Sequence, residues 1–239
     1  MHFADTGADL RSGTLAQNYK TSLRSLYSGK FWCLFLIIFK EVLTLILTRD
    51  YLSHSLRHSL YESATSYRQR VINENHQIFE RNNKFDLFLS HSFLDRDEVT
   101  NLVALFNKCG YSVYVDWMYD PQLDRSNVTK NTAEKLRQTM NQSQGLAYLA
   151  TGNSSNSKWC PWELGYFDGK SRNSRCCILP VLNYNSYSYK GQEYLGLYPY
   201  LQYEKYANKD AYDFWVYDQD SSKYIVLRSW LNGRDPIDH

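Results

Sequence analysis

KFDLFLSHSFLDRDEVTNLVALFNKCG, residues 84–110, is the stretch on which the fold turns. Its first part, 84–92, is a short apolar run bounded by polar residues, the pattern of a strand covered on both faces. The second part sets Val99, Leu102, Val103 and Phe106 at helical spacing, with acids in the first turn and Gly110 at the stop. The same alternation of strand and helix repeats downstream. YSVYVDW (111–117) predicts a second strand, and a polar loop with Pro121, Asp124 and Asn127 leads to a helix over 129–142. GLAYLAT (145–151) predicts a third strand, SKWCPWELGYFDG (157–169) a helix that tolerates Pro161 in its first turn, and CCILPVL (176–182) a fourth strand. Repeated βα units of this length predict the α/β class, with a central parallel sheet and helices on both faces.

Flanking this core, the region 1–80 predicts a helical N-terminal extension that regulates or multimerises the rest. A long helix is expected over 51–81, where Gly and Pro are absent. Within the extension, FWCLFLIIFKEVLTLILT (31–48) has the length of a membrane span, but Lys40 and Glu41 sit at its middle. Each such charge costs about 2.5 to 3.5 kcal/mol at the bilayer centre, so a buried or oligomer-forming helix stands ahead of membrane contact. The tyrosine-rich tail predicts an edge strand within 194–203 and a terminal helix within 224–233, with 207–239 as a C-terminal extension packed on a core domain of 81–206.

The 239 residues, 43% hydrophobic and 22% charged, are those of a globular chain long enough for a sizeable core. A net charge of +2 and the absence of a basic block interleaved with aromatics speak against a nucleic-acid partner. Five cysteines without CxxC spacing, and no secretory leader, predict a reducing cytoplasm. The adjacent Cys176 and Cys177 precede an apolar run and read as small buried residues.

In an open parallel sheet, ligands bind outside the carboxyl ends of the strands. That rule selects residues 90–95, 116–125 and 151–157, and the helix beginning near Lys158. On that helix Trp159 and Glu163 lie four apart and share a face, so a planar ring and a carboxylate can meet one ligand. The ring suits a base or nicotinamide, and the carboxylate can hold sugar hydroxyls and stabilise an oxocarbenium ion. A core role for Trp159 and Trp162, with Glu163 favouring the helix dipole, is equally compatible with the pattern.

Other chemistry finds little support. No GxGxxG follows a strand, no GxxxxGK[ST] is present, and His91 beside Ser90 and Ser92 lacks a triad order. Asp95, Asp97 and Glu98 read as acids at a helix start. His54, His58 and Glu62 form a helical stripe without further ligands, so no metal site is expected.

FDLFLSHSFLDRDEV, YSVYVDW and SKWCPWELGYFDG, in that order and spacing, resemble a bacterial Toll/interleukin-1 receptor (TIR) domain over about residues 84–206. The resemblance implies a flavodoxin-like TIR fold and cleavage of the nicotinamide–ribose bond of NAD+, with NAD+ as substrate and no cofactor. It implies that Glu163 is catalytic, that Ser90, Ser92, Phe93, Asp116, Trp117 and Trp159 contact substrate, and that 117–127 is the family's BB loop. Self-association through TIR domains and a downstream effector that senses a nucleotide product in antiviral defence belong to the same expectation. The alternative is a TIR interaction module without turnover, but the MYDPQLDRSNV loop (118–128) lacks the Pro-Gly pair typical of animal adaptors.

Overall fold

The computed structural model describes residues 47–55, 62–120, 129–170, 173–182 and 192–238, apart from the side chains of 54 and 55. The chain divides into two compact units, Met1–Thr44 and Leu45–His239, and every described residue belongs to the second. Most of the apolar stretch 31–48 therefore lies outside the described residues, as do residues 121–128 of the expected BB loop. Among the described residues no helix is long and apolar enough to cross a membrane.

The βα repeat is present as read. Strand β2 (Phe85–Ser90) is buried along its whole length and passes through a 3-10 turn (Phe93–Asp95) into helix α3 (Arg96–Lys108). Gly110 closes that helix at φ +76°, a left-handed conformation that a side chain would oppose. Strand β3 (Val113–Tyr114) is shorter than expected, because the chain bends at Asp116 into the single-turn helix α4 (Asp116–Tyr119). Helix α5 (Lys130–Asn141) starts at Thr129, whose side chain accepts the amide of Thr132. Strand β4 (Ser143–Ala150), helix α6 (Trp159–Gly169) and strand β5 (Arg175–Leu182) complete the core.

Strands run in the order β3-β2-β4-β5, all parallel. Alternation along β4 sorts the two faces: Ala147 and Leu149 pack with Val99, Leu102 and Phe106 of α3, while Leu146, Tyr148 and Ala150 pack with Leu136 of α5 and Leu164 and Phe167 of α6. Cys176 and Cys177 divide in the same way between the two faces, and both are buried free thiols.

Two expectations change. The region 51–81 is not one helix: α1 (Arg49–Ser55) follows the short strand β1 (Leu47–Thr48), which pairs with β5, and α2 (Ala64–Asn82) starts separately. Ser63, extended at ψ 153°, caps α2 by accepting the amide of Ser66, which competes with a continuous helix at that point. His58 of the expected stripe lies outside the described residues, and Glu62 pairs with Arg70.

The second change is at the tail. Strand β6 (Tyr200–Lys205) is not the edge: β7 (Tyr212–Tyr217) and β8 (Tyr224–Val226) continue the sheet antiparallel before helix α7 (Leu227–Leu231). Phe214 of β7 stacks on Phe106 of α3 at 3.9 Å, so the hairpin shares the α3-side core. Helix α7 is tied to the opposite end of the sheet. Arg228 pairs with the buried Asp86 of β2, which also accepts the Ser112 amide at 2.8 Å and Gln144 Nε2 at 3.2 Å. Gly145 lies under this helix, where an added Cβ would come within 2.6 Å of Leu231 Cδ2.

Edge strand β3 is closed by a side chain. Val113 gives its amide to Asn75 Oδ1 at 2.8 Å, and its carbonyl takes Asn75 Nδ2 at 2.7 Å.

Candidate active site

The ends of β2, β3 and β4 and the start of α6 lie together at the carboxyl edge of the sheet. Ser90 is the last residue of β2, and its side chain turns toward α6. Lys158 already has helical dihedrals, and Cys160 donates its amide to Ser157 Oγ at 3.3 Å, so α6 begins early enough to put Glu163 in its second turn. The two meet: Ser90 Oγ donates to Glu163 Oε2 at 2.6 Å. Both residues are wholly buried, Glu163 among the aromatic and aliphatic side chains of the α5–α6 face. A carboxylate placed there is costly unless donors hold it, and the short serine bond is such a donor.

His91 follows directly. Its Nδ1 donates to the Leu89 carbonyl at 2.9 Å, and its Nε2 lies 3.4 Å from Asp116 Oδ1. Both side chains are buried. Asp116, the first residue of α4, thereby faces the residue that follows β2.

Ser92 is spent on local structure, its Oγ accepting the Leu94 amide at 3.4 Å. Phe93 is 61% exposed. It and Trp117 are brought together on Arg96, whose guanidinium lies 4.9 Å from the Phe93 ring and 4.8 Å from the Trp117 ring. The result is an open aromatic and cationic ledge at the carboxyl end of β2, of a kind suited to a flat ring and a phosphate.

The two tryptophans of α6 are arranged differently from the expectation that Trp159 lines an open pocket and Trp162 is core. Trp159 is 9% exposed and sits edge-on to Trp162 at 5.3 Å. Trp162 is half-buried under Arg137 of α5, 5.4 Å from its ring centre. A cation on the neighbouring helix takes over the outer ring, and the inner ring packs toward the sheet.

Arg96 and His91 are functional candidates that pattern reading passed over. Arg96 carries no signal in sequence beyond a basic residue in an acidic turn. His91 lies beside two serines without a triad order in the sequence, and in the fold its Nε2 faces Asp116.

A buried, serine-held carboxylate at the strand ends of a parallel sheet puts a candidate site where α/β proteins of this architecture bind their ligands. Sequence comparison makes the class specific: the TIR domain family model matches residues 87–216, just over half of the chain. The chain belongs to the TIR domain family. It is 40% identical over 194 residues to a Bacillus cereus (strain MSX-D12) protein named as a probable 3′ cyclic ADP-D-ribose synthase, ThsB′, covering 79% of this chain and 98% of that protein. Over 83 residues it is 35% identical to a Cytobacillus dafuensis protein with the provisional name cyclic ADP-D-ribose synthase TIR2, covering 34% of this chain and 22% of that protein. The match to the family extends to Val216 in β7, beyond the 206 expected from the motifs.

Proposed function

We propose that this protein is an NAD+-cleaving enzyme that makes a cyclic ADP-ribose product, with Glu163 as its catalytic carboxylate. The observation that carries the reading is the buried Ser90–Glu163 contact at the strand ends. The names of the two relatives support the substrate class and the cyclic product.

The chemistry needs little from the protein. The glycosidic nitrogen of NAD+ is already cationic, so the bond to ribose breaks with its electron pair going to nitrogen, and neutral nicotinamide leaves without a proton donor. The cost is the oxocarbenium ion left at the anomeric carbon, and a fixed anion in a dry site lowers it. Glu163 supplies that anion and Ser90 holds its orientation. An oxygen nucleophile then closes on the anomeric carbon and loses its proton. Water gives ADP-ribose; a hydroxyl of the substrate's own adenosine ribose gives a ring, and the 3′ in the Bacillus cereus relative's name points to such a hydroxyl. Exclusion of water by the buried Trp159, on the same helix face as Glu163, favours the ring.

Ser92 and Asp116 contribute by shaping the loops, and Phe93, Trp117 and Trp159 by receiving the planar parts of the substrate. On this reading no resident cofactor is required. The product serves antiviral defence as a signal for an effector, and association of TIR domains completes the site.

The test is nicotinamide release from NAD+ by concentrated wild-type protein and by Glu163→Gln, with the product identified by mass spectrometry. The reading expects release by wild type, a loss of at least a hundredfold in the variant, and a product lighter than ADP-ribose by one water. Absence of release, or equal rates for the two proteins, refutes it and leaves the interaction-module alternative.

A further inference from the structure

Asp95 precedes α3 but its side chain makes no capping bond there and is completely buried. It reaches instead to three residues, two in the turn after β4 and one in α1. Its Oδ2 accepts Thr151 Oγ1 at 2.7 Å, and its Oδ1 accepts Asn153 Nδ2 at 2.6 Å and Arg49 Nη2 at 3.0 Å. Arg49, the first residue of α1, gives its other terminal nitrogen to Glu98 at 2.5 Å.

The direction of the protons matters here. A carboxylate can only accept, so Thr151 must donate to Asp95 and is left with lone pairs. Those lone pairs take the amides of Asn153 at 3.1 Å and Ser154 at 3.2 Å. Ser154 Oγ returns a bond to the Thr151 carbonyl at 2.9 Å. The turn between β4 and α6 is thus set from within the fold, and this turn delivers Trp159 and Glu163.

We propose that Arg49 and Asp95 are positioning residues for the Glu163 site: Arg49, from the helix that follows the N-terminal region, holds ionised Asp95, which orients Thr151 and so fixes the turn that starts α6. The coupling makes a residue outside the βα core a condition for catalytic geometry. It rests on the reading of Glu163 as catalytic only for its kinetic consequence, since the ordering of the turn is a property of the free protein.

The test uses the full chain as wild type, Arg49→Met, Arg49→Lys, Asp95→Asn and Thr151→Val. Hydrogen exchange is followed by mass spectrometry on peptides covering 151–158, with β2 and β5 peptides as controls, alongside kcat and KM for nicotinamide release. Losing one charge-assisted bond predicts about tenfold faster exchange in 151–158 for Arg49→Met and Asp95→Asn, and Thr151→Val, which also removes the acceptor of the Asn153 and Ser154 amides, should be at least as fast. The controls should be unchanged, kcat about tenfold lower and KM within about twofold. Arg49→Lys, which keeps the charge, should recover most of both. Unchanged exchange in Arg49→Met and Thr151→Val overturns the proposal, as does faster exchange that extends equally to β2 and β5. If wild type releases no nicotinamide, the catalytic reading fails while the exchange data still decide whether Arg49 orders the turn.

Discussion

Replacing Ser90 with alanine isolates the contact on which the catalytic reading stands. The Oγ–Oε2 distance of 2.6 Å lies in the range of charge-assisted O–H···O⁻ bonds, and both groups are fully buried. With Glu163 as the anion the reaction requires, such a bond is worth about 1.5–3 kcal/mol. At about 1.4 kcal/mol per decade this is roughly a ten- to 150-fold loss in kcat/KM for nicotinamide release. The cavity from a single hydroxyl is small, so the fold should survive. A double-mutant cycle gives the decisive comparison: on a Glu163→Gln background the same Ser90→Ala change should cost less than about threefold, because the partner charge is already gone. Equal losses on both backgrounds would show that the hydroxyl acts on something other than Glu163, and the assignment of Ser90 as its holder would fall.

The C-terminal helix should prove integral to stability. Arg228→Met leaves Asp86, 0% exposed, without its cation, and since Arg228 is 39% exposed and Ser112 and Gln144 still donate, the expected cost is about 2 kcal/mol by urea unfolding. Gly145→Ala drives a methyl against Leu231 and to 3.1 Å from the Arg175 carbonyl, a ladder partner that cannot swing aside, and should cost about 1–3 kcal/mol in the same assay. Burial raises the Glu204 carboxyl above its ordinary value, with Tyr217 opposing at 2.6 Å. The folded protein therefore holds that proton more tightly than the unfolded chain, so the group's contribution is full below the usual carboxylate range and is lost as pH rises through the folded value. Glu204→Gln should flatten the decline in melting temperature as pH rises above the usual carboxylate range; parallel curves for the two proteins would contradict the assignment.

The parts of the fold legible in sequence are those whose signals are local. Thr129 before α5, Gly110 after α3 and the unbroken apolar runs of β2 and β5 state their own conformations. Strand β7 was missed because YDFWVY carries aromatics on both faces, which hides its alternation: Phe214 and Val216 are buried while Trp215 and Tyr217 are half-exposed. The same limit governs the site. Glu163 could be selected because Trp159 lies on its own helix face, but Asp95 looks like any helix-start acid when its partners are 46 to 58 residues away. The order of burial of Trp159 and Trp162 depends on Arg137, a residue of another helix.

The Asn75 clasp on β3 has a consequence for behaviour at high concentration. An edge strand with free outward amides is a template for joining a second sheet, which is a route to aggregates. Here Val113, the residue whose polar groups face outward, is fully occupied by one amide side chain, so Asn75 acts as a stopper that imitates a further strand without being one. At the other end the short β8 is bridged by Ile237. Copies of the described unit can therefore meet through loops and helices without fusing their sheets, which keeps an assembled state reversible.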